Sequence, residues 1–446
     1  MKIKKHKNRH NKSNGFTLIE MLVALAIMGI FFAAIFAIFR VVLTNSAISE
    51  ARTTAVGLAN QQMEMIHNLT YSEVATTGGW PQGDIPSEQI ENVDDINYTI
   101  KTEISYYDDS FDSIVPVDTL GSDYKKIKIE VTWDKFESGK PVILYTDISP
   151  KGVEEAEQPG GVLSVEVFDD NNNPVPGASI NIVNNDLGIN FSDNTNVEGK
   201  RLFYSVIPDS NPNYSVNVSR AGFTSDYTSE ITVALPDPNK PHLSIYEGGI
   251  SEVSFVIDLV STLNILTQTN AEVPEFIGDI QLDIIGEKSL GSDGENQPVV
   301  KNKYEDVVTN SSGQLTLNDV EWDNYAITED QVDYDIAEIN PPDPVVLDVA
   351  ENKNVTISLA EHADHTLRII VLDSMNNPVA DANVRIFSAG YDETIQTSAV
   401  GQVFFTPLSQ DAYTLEITKD GYVNFNDTID VENQTTREIS LALNPI

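Results

Sequence analysis

Asn14-Gly15-Phe16-Thr17-Leu18-Ile19-Glu20 opens an apolar run that continues from Met21 to Phe39. On its N-terminal side lies a short basic tail, Lys2 to Lys12, with no acidic residue. Within the run Glu20 is the only charge ahead of Arg40. About 20 apolar residues behind a basic tail are the pattern of a segment that crosses a bilayer once, with its N-terminus in the cytoplasm. A cleaved secretory signal fits less well. The run exceeds an h-region of roughly 7–15 residues, and no clear small-x-small site follows it. Neither reading explains Glu20, because a carboxylate in apolar surroundings is costly and is usually kept for a partner.

The helical pattern continues past the apolar run. Ala55, Val56, Leu58, Ala59, Met63 and Ile66 recur at spacings of three and four, the mark of an amphipathic helix. No proline interrupts residues 16 to 68, and Gly29 and Gly57 weaken the helix only slightly. The spacing predicts one helix over this stretch, roughly 75 Å long at 1.5 Å per residue. Its first half is long enough to cross a bilayer. Its second half carries a stripe that needs a sheet to cover it.

Lys12-Ser13-Asn14-Gly15 followed by Phe16-Thr17-Leu18-Ile19-Glu20 resembles the class III signal of type IV pilins and type II secretion pseudopilins. The resemblance implies that a prepilin peptidase cuts between Gly15 and Phe16 and methylates the new N-terminus at Phe16. It implies that Glu20, the fifth mature residue, pairs with the N-terminal amine of a neighbouring subunit during assembly. The implied partners are that peptidase, other pilin or pseudopilin subunits and the inner-membrane assembly platform. The implied location is the cytoplasmic membrane, single-pass, and then an extracellular filament at the cell surface. The residue chemistry suits these roles. A glycine lets a protease approach the backbone closely, and a charge pair in a low-dielectric setting attracts strongly and is costly to break.

The chain has 446 residues, with 27 Lys plus Arg against 68 Asp plus Glu and a formal charge of −41. Loss of the leader's six basic residues would leave 21 against 68, a formal charge of −47. Such a surface repels nucleic acid and anionic headgroups and suits an exposed extracytoplasmic body. There is no cysteine, so disulfides, thiolate metal sites and a cysteine nucleophile are excluded.

Residues 71–93 read as loop. Strands are predicted at Tyr98–Tyr107, Lys125–Trp133 and Val142–Ile148, the second with clear alternation of polar and apolar residues. A long helix followed by a small antiparallel sheet resembles a pilin head. The acidic segment Glu154-Glu155-Ala156-Glu157-Gln158-Pro159-Gly160-Gly161 reads as a spacer.

Beyond it the chain repeats. Val165 to Ile180 matches Ile369 to Val384, each a strand, an Asn-rich turn closed by Pro-Val, and a second strand. Asn213-Tyr214 to Gly222-Phe223 matches Ala412-Tyr413 to Gly421-Tyr422. Two matched segments in the same order make chance a poor explanation. The pattern resembles carboxypeptidase-regulatory-like and collagen-adhesin B-type modules, which are immunoglobulin-like β-sandwiches. A middle unit keeps Ser312-Gly313 and Trp322-Asp323-Asn324-Tyr325, and carries an insertion around Gly286 to Asn302. Neither first strand, Leu163–Phe168 or Leu367–Leu372, has the lysine that an isopeptide cross-link of such modules needs, so none is expected.

The fold class expected is therefore α+β: a long transmembrane helix and a small antiparallel head, then tandem all-β sandwiches. The expected divisions are a leader at 1–15, the helix at 16–70, the head at 71–150, a linker at 151–161, and sandwiches at 162–260, 261–361 and 365–446.

No catalytic constellation appears, and an enzyme is not expected; undetected chemistry in the insertion at 286–302 is a remote reading. Glu361-His362-Ala363-Asp364-His365 reads as a solvated linker before a metal site. Asp108 to Asp112 and Asp169 to Asn173 read as acidic turns before calcium loops, because they lack the Asp-x-Asp-x-Asp-Gly spacing with a distal Glu. No cofactor and no metal is expected. The reading of the whole is a prepilin-like structural subunit, minor or at the tip, displaying adhesive or spacer sandwiches whose surface ligand stays unnamed. The alternative is a membrane-anchored adhesin or stalk that never enters a filament.

Overall fold

The computed structural model describes residues 17–108, 123–135, 140–150, 160–329 and 333–444. They fall into two units, one holding the helix and the first sheet, the other holding the strands from Gly161 onward.

Helix α1 runs from Leu18 to His67, 50 residues without a proline. Thr17 caps it in the extended conformation, and Glu20 completes a reciprocal capping box. From Leu18 to Leu43 the large apolar side chains are exposed, and this part of the helix is long and apolar enough to cross a membrane. The second half buries Ala51, Ala55, Leu58, Ala59, Gln62 and Ile66, a single helical face. Three alanines on that face bring the backbone close to the sheet beneath it.

That sheet has four antiparallel strands in sequence order: β1 (Glu88–Val93), β2 (Ile96–Tyr107), β3 (Tyr124–Trp133) and β4 (Val142–Ile148). The inward residues Tyr98, Ile100, Ile104, Ile127, Ile129, Val131 and Val142 form one core with the helix face. Three strands lie where alternation predicts them. β1 does not: it falls within the stretch read as loop. It is an edge strand with an exposed and half-exposed pattern and no buried position, so it has no apolar alternation to reveal it. Its hairpin with β2 turns through Asp94 and Asp95, at φ 51° and 61°, the two left-handed residues of a tight turn.

The second unit contains three successive modules, each of two sheets. In the first, Gly161–Phe168, Lys200–Val206 and Ile250–Val256 form one sheet; Ser179–Asn184, Ile189–Asn194 and Asp209–Ser219 make the body of the other. The second and third modules run from Ser261 to Glu361 and from Thr366 to Leu441. All three share one departure from a purely antiparallel plan: the first strand pairs parallel with the last. Gly161–Phe168 pairs with Ile250–Val256, Ser261–Thr269 with Asn352–Glu361, and Thr366–Asp373 with Gln434–Leu441.

Three interior fittings recur. Gly199, Gly313 and Gly401 sit at φ 70°, 73° and 72°. Each gives its carbonyl to the first strand, at Val167, Thr267 and Val371, over 2.8 Å. A Cβ there would collide with that strand's backbone, which explains the glycine. Thr195 and Thr397 are buried and stitch two backbone segments together: each hydroxyl accepts from Ala178 or Ala382 and donates to Val175 or Val379. Tyr214, Tyr325 and Tyr413 fill the cores, and their hydroxyls donate to the carbonyls of Ile207, Glu321 and Ser409. The last two reach a carbonyl four residues upstream, the corner seen in immunoglobulin-like sandwiches.

Candidate functional site

The sequence points to the start of α1. Gly15 and Phe16 lie outside the described residues. Glu20 is described, and its carboxylate turns back on the helix start. The Thr17 backbone N–H donates to Oε2 at 2.9 Å and the Thr17 hydroxyl donates to the same oxygen at 2.8 Å. In return the Glu20 N–H donates to the Thr17 hydroxyl at 3.4 Å. A local reason for a glutamate here therefore exists beside any role in assembly: it satisfies donors that every helix start leaves open. The Thr-x-x-Glu spacing was visible in the sequence as a cap signal, and sequence reasoning passed over it.

The acidic turns use their carboxylates internally. Asp169 Oδ1 accepts from the backbones of Asn171 and Asn173 at 2.9 and 2.8 Å, and Oδ2 accepts from the Asn173 amide at 3.0 Å. Asp373 repeats this with Met375 and Asn377. Hydrogen bonds from the Asn377 backbone and side chain hold Asp373 below the usual carboxylate range. These aspartates shape the turns that the repeat pattern shares. Asp109 to Asp112 lie outside the described residues.

The His362–His365 segment is less free than its reading as a solvated linker. His362 Nδ1 meets Asp335 Oδ1 at 2.9 Å, and the Ala363 N–H donates to Asp335 Oδ2 at 3.0 Å. The hydrogen bond to Asp335, with that carboxylate's charge, raises the His362 pKa above its ordinary value. Among the described residues no group of three or more His, Cys, Asp or Glu is arranged to hold a metal ion.

A cleft of about 350 Å³ opens beside the insertion, lined by Lys240, Lys288, Lys301, Asp226, Glu321 and Trp322 among others. Its charges answer each other. Lys288 reaches Glu321 at 3.0 Å and Lys301 reaches it at 2.9 Å, while Lys240 pairs with Asp226. The Lys288 ammonium also sits 3.2 Å from the centre of the Trp322 ring. Burial lowers the Lys288 pKa. Sequence reasoning did not find this cluster, because its members come from turns and edges far apart in the chain. The insertion forms two short strands, Ser289–Ser292 and Pro298–Val300.

Comparison with known proteins adds two family matches. Residues 10–36 match the prokaryotic N-terminal methylation motif, and residues 366–444 match the carboxypeptidase regulatory-like domain. No curated protein matches. Solved structures with likeness include GBS52, the minor pilin of Streptococcus agalactiae, at 14% identity over 42% of this chain and 97% of that one, TM-score 0.19. The Bacillus anthracis TIE protein matches at 14% identity over 78% and 68%, TM-score 0.18. The shaft pilin SpaA of Lactobacillus rhamnosus GG matches at 14% identity over 42% and 98%, TM-score 0.16. At such TM-scores these likenesses carry no argument about function. The motif and the apolar helix together give the chain an N-terminal segment able to anchor it in a membrane. The chain thus joins a prokaryotic N-terminal methylation motif, on a helix able to cross a membrane, to a carboxypeptidase regulatory-like domain near its other end.

Proposed function

We propose that the chain is a prepilin-like subunit, cut by a prepilin peptidase between Gly15 and Phe16, N-methylated at Phe16 and assembled into a type IV pilus or pseudopilus. One observation carries the reading: the methylation motif at 10–36 leads into a helix whose first half has no intramolecular cover. Such a surface calls for lipid first and neighbouring helices later. Both Thr17 donors go to Oε2 of Glu20, so Oε1 is the oxygen offered to the amine of the next subunit. The pairing acts as a register mark, because leaving either charge unanswered in an apolar bundle is costly.

The divisions that go with this reading are a leader at 1–15, a helix at 16–70, a head at 71–150, a linker at 151–161 and modules at 162–260, 261–361 and 365–446. The three modules add bulk that would crowd a filament made only of this chain, which favours a minor or tip subunit. The modules then project outward as adhesive or spacer elements. The test is mass spectrometry of the N-terminal peptide from a sheared surface-filament fraction. A peptide beginning at N-methyl-Phe16 is the expected result. A chain that stays in the membrane fraction with Met1 to Gly15 attached overturns the proposal in favour of an anchored stalk.

A further inference from the structure

Each pair of neighbouring modules is joined by a connector of only four residues, 257–260 and 362–365. The first connector is tied down along its length. Thr224 donates its N–H to the Asp258 carbonyl at 2.7 Å, and the Val260 N–H donates to Gly222 at 3.1 Å. Asp258 also accepts the Asp170 N–H at 3.1 Å.

A second tie comes from the insertion of the middle module. Ser289–Ser292 pairs antiparallel with Asp237–Pro238 of the first module, so one small sheet belongs to both modules. The Asn239 N–H donates to the Leu290 carbonyl at 2.8 Å, and its side-chain amide donates to the Ser289 carbonyl at 2.9 Å. Gly291 makes the approach possible. It lies at φ +147°, and a Cβ there would sit 2.6 Å from the Pro238 Cα and closer still to the Asp237 carbonyl. Beside this strand pair the charged cluster bridges the same seam. Lys301 of the middle module donates to the Ser225 carbonyl at 3.2 Å, stands 3.9 Å from Asp226, and bonds Glu321 of its own module. Asp226 and Glu321 are both buried. A buried pair broken on one side is strongly destabilising, which makes such a seam all-or-none.

We propose that residues 286–302 are a clasp that fixes the direction of the middle module on the first, so that the two move as one body. Modules joined by short connectors move relative to one another by default unless an interface holds them. The clasp is that interface. The inference does not depend on filament assembly and holds equally for an anchored stalk.

The absence of cysteine makes the test direct. Spin labels are placed on the full chain in detergent at Val197→Cys and Val273→Cys, across the clasp, and at Val273→Cys and Met375→Cys, across the other joint; these residues are 80%, 80% and 73% exposed. Both distance distributions are expected to be narrow in the parent chain. Gly291→Val should broaden the first about two-fold, towards the free-joint behaviour of connector-linked modules, and leave the second unchanged. Lys301→Met with Glu321→Gln, which spares the backbone of the clasp, should broaden the first in the same way. Thermal unfolding of each variant separates an opened clasp from an unfolded module, and where Gly291→Val unfolds the module the second variant decides. A first distribution already broad in the parent chain, or unmoved by a folded clasp variant, overturns the proposal.

Discussion

The side-chain amide of Gln402 lies against the backbone of Ile339 as a neighbouring strand would: Nε2 donates to the Ile339 carbonyl at 2.8 Å and Oε1 accepts the Ile339 N–H at 3.1 Å. Gln402 belongs to the third module and Ile339 to the second, and both are buried. Gln402→Ala removes two bonds and strands two buried backbone groups. The expected loss is about 2–6 kcal/mol in the unfolding free energy of the third module, from about 1–3 kcal/mol for each buried group left unsatisfied. Gln402→Glu should cost more, because it loses the donor and buries a charge. Denaturant melts of the full chain measure both.

At the same joint His362 carries a pH dependence. Its pKa is raised, first by the hydrogen bond to Asp335 and then by that carboxylate's charge, with Asp364 and Asp333 adding to it. A raised folded-state value means the stabilisation is complete below the ordinary His value of 6.5 and is lost as pH climbs through the raised one. Glu329 and Asp343, raised by burial, face Arg368 and also vary with pH. The His362 part is isolated by difference: the parent chain should lose more melting temperature than His362→Gln between pH 6 and pH 8. Equal losses would show that the Asp335 contact does not titrate.

Glu20 has two possible duties, and they separate by substitution. Glu20→Gln keeps an oxygen for Thr17 and so keeps the helix cap, but has no charge. Glu20→Ala loses both. If the charge marks register, both variants are absent from the sheared filament fraction while both still insert in the membrane. If only the cap matters, Glu20→Gln is incorporated normally.

The tyrosines of the three cores offer an additivity test. Tyr214→Phe, Tyr325→Phe and Tyr413→Phe each remove one hydroxyl that bonds a backbone carbonyl. Each should cost about 1 kcal/mol, and because the cores are separate the three costs should add. Tyr413→Phe should cost more than Tyr214→Phe, since the Tyr413 hydroxyl also accepts the Ser409 N–H at 3.1 Å.

Gly401→Ala tests the glycine that recurs in every module. At φ +72° an alanine is strained by about 1–3 kcal/mol, and its Cβ would meet the Val371 carbonyl at 2.5 Å and the Val379 N at 3.0 Å. The substitution should lower the stability of the third module by at least that amount, read from the same denaturant melts.

The parts legible in the sequence are those where one residue type has one job. The helix was legible because its apolar run and its Ala55–Leu58–Ala59–Ile66 stripe are both uninterrupted. β3 was legible because its buried positions alternate along Tyr124–Trp133. The module repeat was legible through Tyr214, Tyr413 and the Asn-rich turns, whose carboxylates serve the turn itself. The rest depends on partners distant in sequence. β1 is held by its pairing with β2, and its side chains say little. Gln402 reads as an ordinary polar residue after a glycine turn until Ile339 is brought to it. Lys288, Lys301 and Glu321 read as scattered surface charges until the insertion folds back.

The parallel pairing of first and last strands sets how the modules respond to being pulled. In the first module the chain enters along Gly161–Phe168 and leaves along Ile250–Val256 in the same direction, so tension on the two ends slides these strands past each other. Seven residue pairs there, and eight in each of the other two modules, resist together in shear. An antiparallel terminal pair would instead peel open one bond at a time. A chain anchored at its helix and loaded at its far modules therefore meets force with its strongest geometry.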